Sequence, residues 1–313
     1  MDQLQGDDSG GGAPRDIDFT FSENLADLHD TDVVLLTAVT PVIGDRRDPE
    51  QLQVRNASRF VRSLRRHNVA LVRALYAEAA HSVQNPTRAE EILNRATTSF
   101  IAMDPFMAVP DPRAVTVIEH SHFRERFLGH PLAQVVPGRL VFLSMGGVDP
   151  SYEAPLKVFG IADLPGCTLH VVGKVPRALT ASFERTLTRH STRVSLIDGD
   201  LSDSARLMEL TQAEIVVVAA PDTYESMRVI LLALSLDRPV LVEETPLTRA
   251  IADEVGGGWV RLHDGRLTAE GLELALQQIR SAPPVGRPKL DARNPNTIAA
   301  QYVSVLKAAA ASR

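Results

Sequence analysis

Cysteine is nearly absent from this chain of 313 residues: Cys167 is the single one, in a Pro-Gly-Cys turn before an apolar run. No intramolecular disulfide can form and a reactive thiol has no second thiol to work with, which fits a reducing compartment. Aromatic residues are scarce at 5%. An excess of basic charge is missing as well. Lys and Arg total 33 against 39 Asp and Glu, a formal charge of -6, and wrapping nucleic acid needs a clustered cationic surface. No stretch approaches the roughly 18–20 apolar residues of a membrane-spanning helix. The opening MDQLQGDDSGGGAPRDIDF has no apolar core behind a basic head, so no signal peptide is expected. These absences point away from a nucleic-acid binder, a secreted protein and an integral membrane protein, and toward the cytoplasm.

What is present is length for two domains and an alternation of short apolar runs with helical patterns. Residues 1–20 combine Gly, Asp and Ser with few apolar side chains and are expected to form a disordered tail. Strands are expected over 32–36, 69–72, 99–102 and 115–118, with helices over 56–66 and 88–95. A polar stretch containing Pro and Gly, 124–138, reads as a linker. Apolar runs resume at 140–143, 168–172, 194–197, 215–218 and 240–242. They lack in-out alternation, as parallel strands buried on both faces do, and helices over 179–190, 205–211 and 247–255 fill the gaps. A Pro-rich connection leads to a last helix over 297–310, longer than the second domain needs and able to return to the first. The expected architecture is α/β: two Rossmann-like, doubly wound parallel-sheet domains facing a cleft, with the first abbreviated. The divisions are a tail over 1–20, a first domain over 21–130, a second over 131–285 and a closing segment over 286–313.

Chemistry concentrates in 221–259, PDTYESMRVILLALSLDRPVLVEETPLTRAIADEVGGGW, where a loop at the carboxyl end of a strand meets a helix start near Tyr224. Free backbone N–H groups and the helix dipole there favour a phosphate, although any doubly wound domain offers such a loop. Arg228 in that helix opposes the dipole unless an anion binds beside it. Glu225 suits a ribose or sugar hydroxyl, or simply stabilises the first turn. Tyr224 is a binding or a packing aromatic. Gly146 and Gly147 let a backbone approach a phosphate closely or make a tight turn. Lys174 and Arg177 follow a strand end, and Glu243 and Glu244 close the strand over 240–242. Gly256 to Gly258 more simply end the helix over 247–255 through a left-handed cap.

From about 140 to 279 the chain resembles the donor-binding domain of GT-B glycosyltransferases, specifically bacterial members of glycosyl transferase family 4 and the mannosyltransferase type. The likeness rests on LVFL (140–143) with a Gly loop at Gly146 and Gly147, LHVVGK (169–174), VSLIDGDLSD (194–203), AEIVVVAAPD (213–222), LLALSLDRPVLV (231–242) and EVGGGWV (254–260), in that order. The first half is similar through ALVRALYAEAAH (70–81), ending at His81, and VIEHSHF (117–123). The opening strand, Gly loop and helix of a full first domain have no counterpart.

The resemblance implies a nucleotide diphosphate held by an Arg and a Lys after the first donor-domain strand, and by a Glu-any-seven-Glu pair. Here those cations fall on Gly147 and Pro150, the second Glu on Leu232 and the first near Tyr224 or Glu225. It implies a hexosyltransferase moving sugar from a nucleotide-sugar to a glycan or glycolipid, with Gly146, Gly147, Lys174, Arg177, Tyr224, Glu225, Arg228, Glu243 and Glu244 at the donor and His81 or His120 as the base. Neither cofactor nor metal is implied. His120 and His122 would share a face on an extended strand, and a third ligand is not evident. The alternative is an inactive homologue serving as a binding or partner subunit, as homo-oligomer or beside an active glycosyltransferase. A weaker third reading is a sugar-nucleotide epimerase. In RNASRFVRSLRRHN, Arg55, Arg59, Arg62 and Arg66 share one helical side, either a solvated face or a peripheral contact with anionic membrane.

Overall fold

The computed structural model describes residues 17–18, 20, 28, 30–45, 47–76, 84–145, 153–174, 184–185, 188, 192–197, 199, 201–219 and 223–313. The chain divides into two compact units, residues 1–121 with 293–313, and residues 122–292.

Unit 1 carries a parallel sheet in the order β1 (Val33–Leu36), β2 (Ala70–Leu75), β3 (Ser99–Ala102), β4 (Val115–Val117). A short α1 (Thr40–Ile43) and the long α2 (Glu50–His67) connect β1 to β2, and α3 (Arg88–Ala96) connects β2 to β3. Helix α2 buries Ala57, Phe60, Val61 and Leu64 on one stripe and packs with Leu36, Leu71 and Leu93. It stops where Asn68 takes φ 55°, a left-handed conformation that Asn tolerates. Helix α3 starts at a capping box, Thr87 with Glu90, which satisfies two otherwise unpaired N–H groups.

Unit 2 holds a second parallel sheet whose strands are β5 (Arg139–Met145), β6 (Thr168–Lys174), β7 (Val194–Ile197), β8 (Ile215–Val217), β9 (Val240–Glu243) and β10 (Val260–His263), in the order β10-β9-β8-β5-β6-β7. Between them run α4 (Ala154–Ile161), α5 (Asp203–Gln212), α6 (Tyr224–Ser235) and α7 (Pro246–Val255), with α8 (Ala269–Ser281) after β10. Because successive strand residues point to opposite faces, β5 sends Val141 and Leu143 into a core with α5, α6 and α7. Leu140 and Phe142 enter a second core with α4 and α8. The chain leaves β5 toward β7, then resumes beside β5 at β8 and proceeds outward to β10. The reversal between β5 and β8 is a topological switch point, whose carboxyl-end crevice is where open α/β sheets bind ligands.

Helix α9 (Pro295–Ala311) packs on β1 and β2 of unit 1. Arg313 ties its end to Asp32 at 2.6 Å and to the Asn68 carbonyl at 3.2 Å. Unit 2 begins at His122, upstream of the polar stretch expected to link the domains. Phe123 and Phe127 pack against the core of unit 2, and the Phe123 N–H donates to Ser235 Oγ at 2.9 Å, so apolar anchors inside a polar segment claim it for the sheet. Strand β10 and helices α4 and α8 were not anticipated. The helix expected over 179–190 lies almost wholly outside the described residues. Helix α7 does end at a glycine with positive φ, Gly256 at 92°, but its ψ of 170° is not that of a left-handed helical cap.

Candidate functional site

Helix α6 follows β8 directly, on the switch-point side. Thr223 caps it, its hydroxyl oxygen accepting from the Ser226 N–H at 3.1 Å, and Ser226 Oγ donates to the Ala219 carbonyl at 2.7 Å. That pair ties Ala219, just past β8, to the first turn of α6. Tyr224 and Glu225 are its first two residues and Arg228 its fifth, so Arg228 lies one turn in, past the unpaired N–H groups it was expected to accompany. Its guanidinium stands 3.4 Å from Glu225 and 5.9 Å from the Tyr224 ring centroid. The three residues thus form one cluster.

Beside them a cavity of about 110 Å³ opens between α5, α6, the end of β5 and the segment after residue 122. Its floor is apolar: Leu143, Leu207, Val229 and Leu232, with Phe123 and Phe127. Its polar lining is Arg126, Arg206, Arg228 and Asp203. Asp203 Oδ2 receives Arg126 Nη2 at 3.2 Å and Oδ1 receives Arg206 Nη1 at 3.1 Å. Sequence reasoning placed Asp203 at the end of a family-like segment but missed Arg126 and Arg206. The only signal was their nearness to two such segments, 117–123 and 194–203.

Glu243 closes β9, and Glu244 is bound to Arg249 in an ion pair. The Glu244 N–H donates to the His263 carbonyl at 2.8 Å. Neither carboxylate is among the residues that line this cavity. Opposite Glu243 in the register stands His263, held below the usual histidine range chiefly by burial, with Glu243 opposing. Lys174 ends β6, and its side chain, with His81, Gly146, Gly147 and Arg177, lies outside the described residues.

His120 is buried in unit 1, where its carbonyl accepts from Arg293 Nη1 at 3.3 Å and Arg293 Nη2 donates to Glu119 at 2.9 Å. His122 opens unit 2. The two do not share the face of a strand, because β4 ends at Val117. Among the described residues no group of His, Cys, Asp or Glu side chains is arranged to hold a metal ion.

No protein-family model matches the chain. The chain is 30% identical over 202 residues to a GDP-mannose:glycolipid 4-beta-D-mannosyltransferase of Xanthomonas campestris pv. campestris; the match takes in 64% of this chain and 57% of that relative's length. The structure superposes on HepE of Anabaena in complex with UDP at a TM-score of 0.60 and 14% identity, covering 91% of this chain and 79% of the other. It superposes on a glycosyltransferase of Rickettsia africae at a TM-score of 0.58 and 10% identity, covering 85% and 83%. The fold is that of the GT-B glycosyltransferases. The sequence likeness is to a mannosyltransferase, of whose length the chain spans little more than half. No helix among the described residues is long and apolar enough to cross a membrane.

Proposed function

We propose that this protein is a glycosyltransferase that takes a hexose from a nucleotide-sugar, with GDP-mannose the first donor to test, and places it on a glycolipid. The observation that carries the reading is the 30% identity over 202 residues to a GDP-mannose:glycolipid mannosyltransferase. In this reading the donor lies at the switch point of unit 2, and Tyr224, Glu225 and Arg228 meet it directly. Charge accumulating on the departing diphosphate is met by fixed guanidinium groups, which stabilise it without reorganisation. Gly146, Gly147, Lys174 and Arg177 border the same sheet edge in sequence and are proposed to complete the donor side, with Glu243 and Glu244 toward the sugar hydroxyls. His81 or His120 of unit 1 is proposed to take the acceptor proton.

A glycolipid acceptor brings the enzyme to a bilayer. Helix α2 offers a means: Arg55, Arg59, Arg62 and Arg66 are exposed and recur with helical spacing along about 16 Å of one side. Such a stripe suits anionic headgroups.

The test is calorimetric titration of the whole chain with GDP, UDP and ADP, followed by transfer from the matching nucleotide-sugar to a glycolipid. Binding of one nucleoside diphosphate with sugar transfer is the expected result. Binding without transfer to any lipid-linked acceptor moves the protein to the binding-subunit class, and absence of nucleotide binding rejects the reading altogether.

A further inference from the structure

Just past the end of α6 stands Asp237, a residue that the end of a helix disfavours twice over. Its φ is 56°, in the left-handed region that glycine enters without a Cβ clash. Its carboxylate also sits beside the partly negative end of the helix dipole. The turn itself needs no side chain there: the Asp237 N–H donates to the Leu234 carbonyl at 3.1 Å and the Arg238 N–H to the Ala233 carbonyl at 2.9 Å. At the end of α2, Asn68 meets the same backbone demand with φ 55° and without a charge. What the side chain touches accounts for the acid at 237.

Asp237 Oδ2 accepts from Arg287 Nε at 2.8 Å, and Oδ1 accepts from the same nitrogen at 3.1 Å. Oδ1 also lies 3.5 Å from Arg124 Nη2, which donates to the Pro288 carbonyl at 2.8 Å. One carboxylate thus meets a cation from each of the two stretches by which the chain enters unit 2, at His122, and leaves it, at Ala292. Apolar anchors hold each stretch singly, since Phe123 and Leu290 both pack in the unit 2 core. The Asp237 cluster joins the two stretches to each other and to α6. Asp237 and Arg124 keep 24% and 21% of their side-chain surface in solvent, so this pair is screened less than an exposed one. Burial first and the Arg287 charge second push the Arg124 pKa below its ordinary value, with Asp237 and Asp291 opposing. Remove the Asp237 carboxylate, and two guanidinium groups repel each other with less to hold them.

We infer that Asp237 is a latch, a positioning residue whose carboxylate fastens the entry and the exit of unit 2 to the end of α6. The other end of that helix, about 18 Å away over 12 residues, carries Tyr224, Glu225 and Arg228. The helix proposed to meet the donor at its start is therefore held at its end to both stretches that connect unit 2 to unit 1. This link to sugar transfer rests on the nucleotide-sugar reading; the latch itself does not.

The experiment is hydrogen exchange read by mass spectrometry on the full chain, wild type against Asp237→Gly. Glycine relieves both the backbone and the dipole cost, so an idle carboxylate predicts exchange over 122–126 and 286–291 as slow as in wild type or slower. A latch predicts faster exchange in both stretches by about tenfold, the scale of one charge-assisted bond in a local opening equilibrium. High salt moves wild type toward the variant. Arg287→Gln, at an exposed position, speeds exchange over 286–291 and adds nothing in the Asp237→Gly background, because both substitutions break the same pair. In transfer from GDP-mannose to a glycolipid, Asp237→Gly lowers kcat and leaves the KM for the nucleotide-sugar as in wild type, since the donor residues stand at the far end of α6.

Exchange unchanged in Asp237→Gly overturns the inference, as does acceleration in one stretch alone or an Arg287→Gln effect that persists undiminished without Asp237. Faster exchange in both stretches with kcat unaltered keeps the latch and removes its link to transfer. A wild type that neither binds nor uses any nucleotide-sugar removes the nucleotide-sugar reading, and exchange still decides the latch.

Discussion

Arg228 Nη1 lies 3.4 Å from Glu225 Oε2, an i,i+3 pair at the start of α6, and Arg228 also lines the unit 2 cavity. A surface pair of this length contributes little to stability, so Arg228→Ala should leave the unfolding midpoint nearly unchanged. Nucleoside diphosphate binding should weaken by roughly 1.5–3 kcal/mol, the worth of a charge-assisted contact. Calorimetry on the variant checks this, and an unaltered dissociation constant takes Arg228 out of the donor site.

The strands that proved legible in sequence are those whose surroundings are uniform. Leu140, Val141, Phe142 and Leu143 are all buried, because helices cover both faces of a central parallel strand, and a continuous apolar run is its signature. Strand β10 escaped because it is a four-residue edge: Arg261 and His263 alternate with Val260 and Leu262, so it lacks the continuous apolar run by which the central parallel strands were read. Helix α8 carried its signal openly, with Leu272, Ala275, Leu276 and Ile279 at helical spacing behind the Thr268 cap. Glu225 and Arg228 could be placed because a helix start is a local property. Arg126 and Arg206 could not. Their meeting depends on strand order and on how Phe123 and Phe127 dock, and neither is written in any local pattern.

Glu214 precedes β8 and accepts two bonds from Arg280 of α8, from Nε at 2.7 Å and Nη2 at 2.9 Å, as well as the Gly138 N–H. These bonds hold the carboxyl below its usual range, with Arg280 the leading cause. The carboxylate is mostly buried while Arg280 is half-exposed. Arg280→Ala should therefore cost unit 2 about 1–3 kcal/mol, since a nearly buried acceptor loses its partner. Urea unfolding followed by tryptophan fluorescence is a direct measure, because Trp259 belongs to the unit 2 core. A midpoint unaffected by the substitution assigns the stability of this sheet edge to packing alone.

The stripe on α2 predicts binding to vesicles that contain phosphatidylglycerol and none to vesicles of phosphatidylcholine. Each arginine near an anionic surface contributes on the order of 1 kcal/mol, and salt screens the contribution. Reversing two charges, Arg59→Glu with Arg62→Glu, should lower vesicle affinity about tenfold or more without touching nucleotide binding in unit 2. Both positions are exposed, so folding should survive. Cosedimentation at low and moderate salt reads the effect, and equal partitioning to the two kinds of vesicle removes the membrane contact.

Two histidines of unit 2 make its stability depend on pH in one direction. His122 Nδ1 is 3.1 Å from Glu125 Oε2, which favours the charged ring, yet burial outweighs that attraction and holds its pKa below the ordinary value, with Arg124 adding to the depression and Asp291 opposing it. Burial acts likewise on His263, against Glu243 and Asp264. A base whose folded pKa is depressed takes up its proton more readily when unfolded, so acid favours the unfolded state. The stabilising contribution is complete above about pH 6.5, the unperturbed histidine value, and is lost as the pH falls from there toward the folded values. Urea midpoints read through Trp259 should therefore drop between pH 7.5 and pH 5.5. His122→Gln with His263→Gln should flatten that slope while keeping much of the packing. If the double variant retains the full slope, the pH dependence belongs to other groups, and the depressed histidines of unit 2 do not control it.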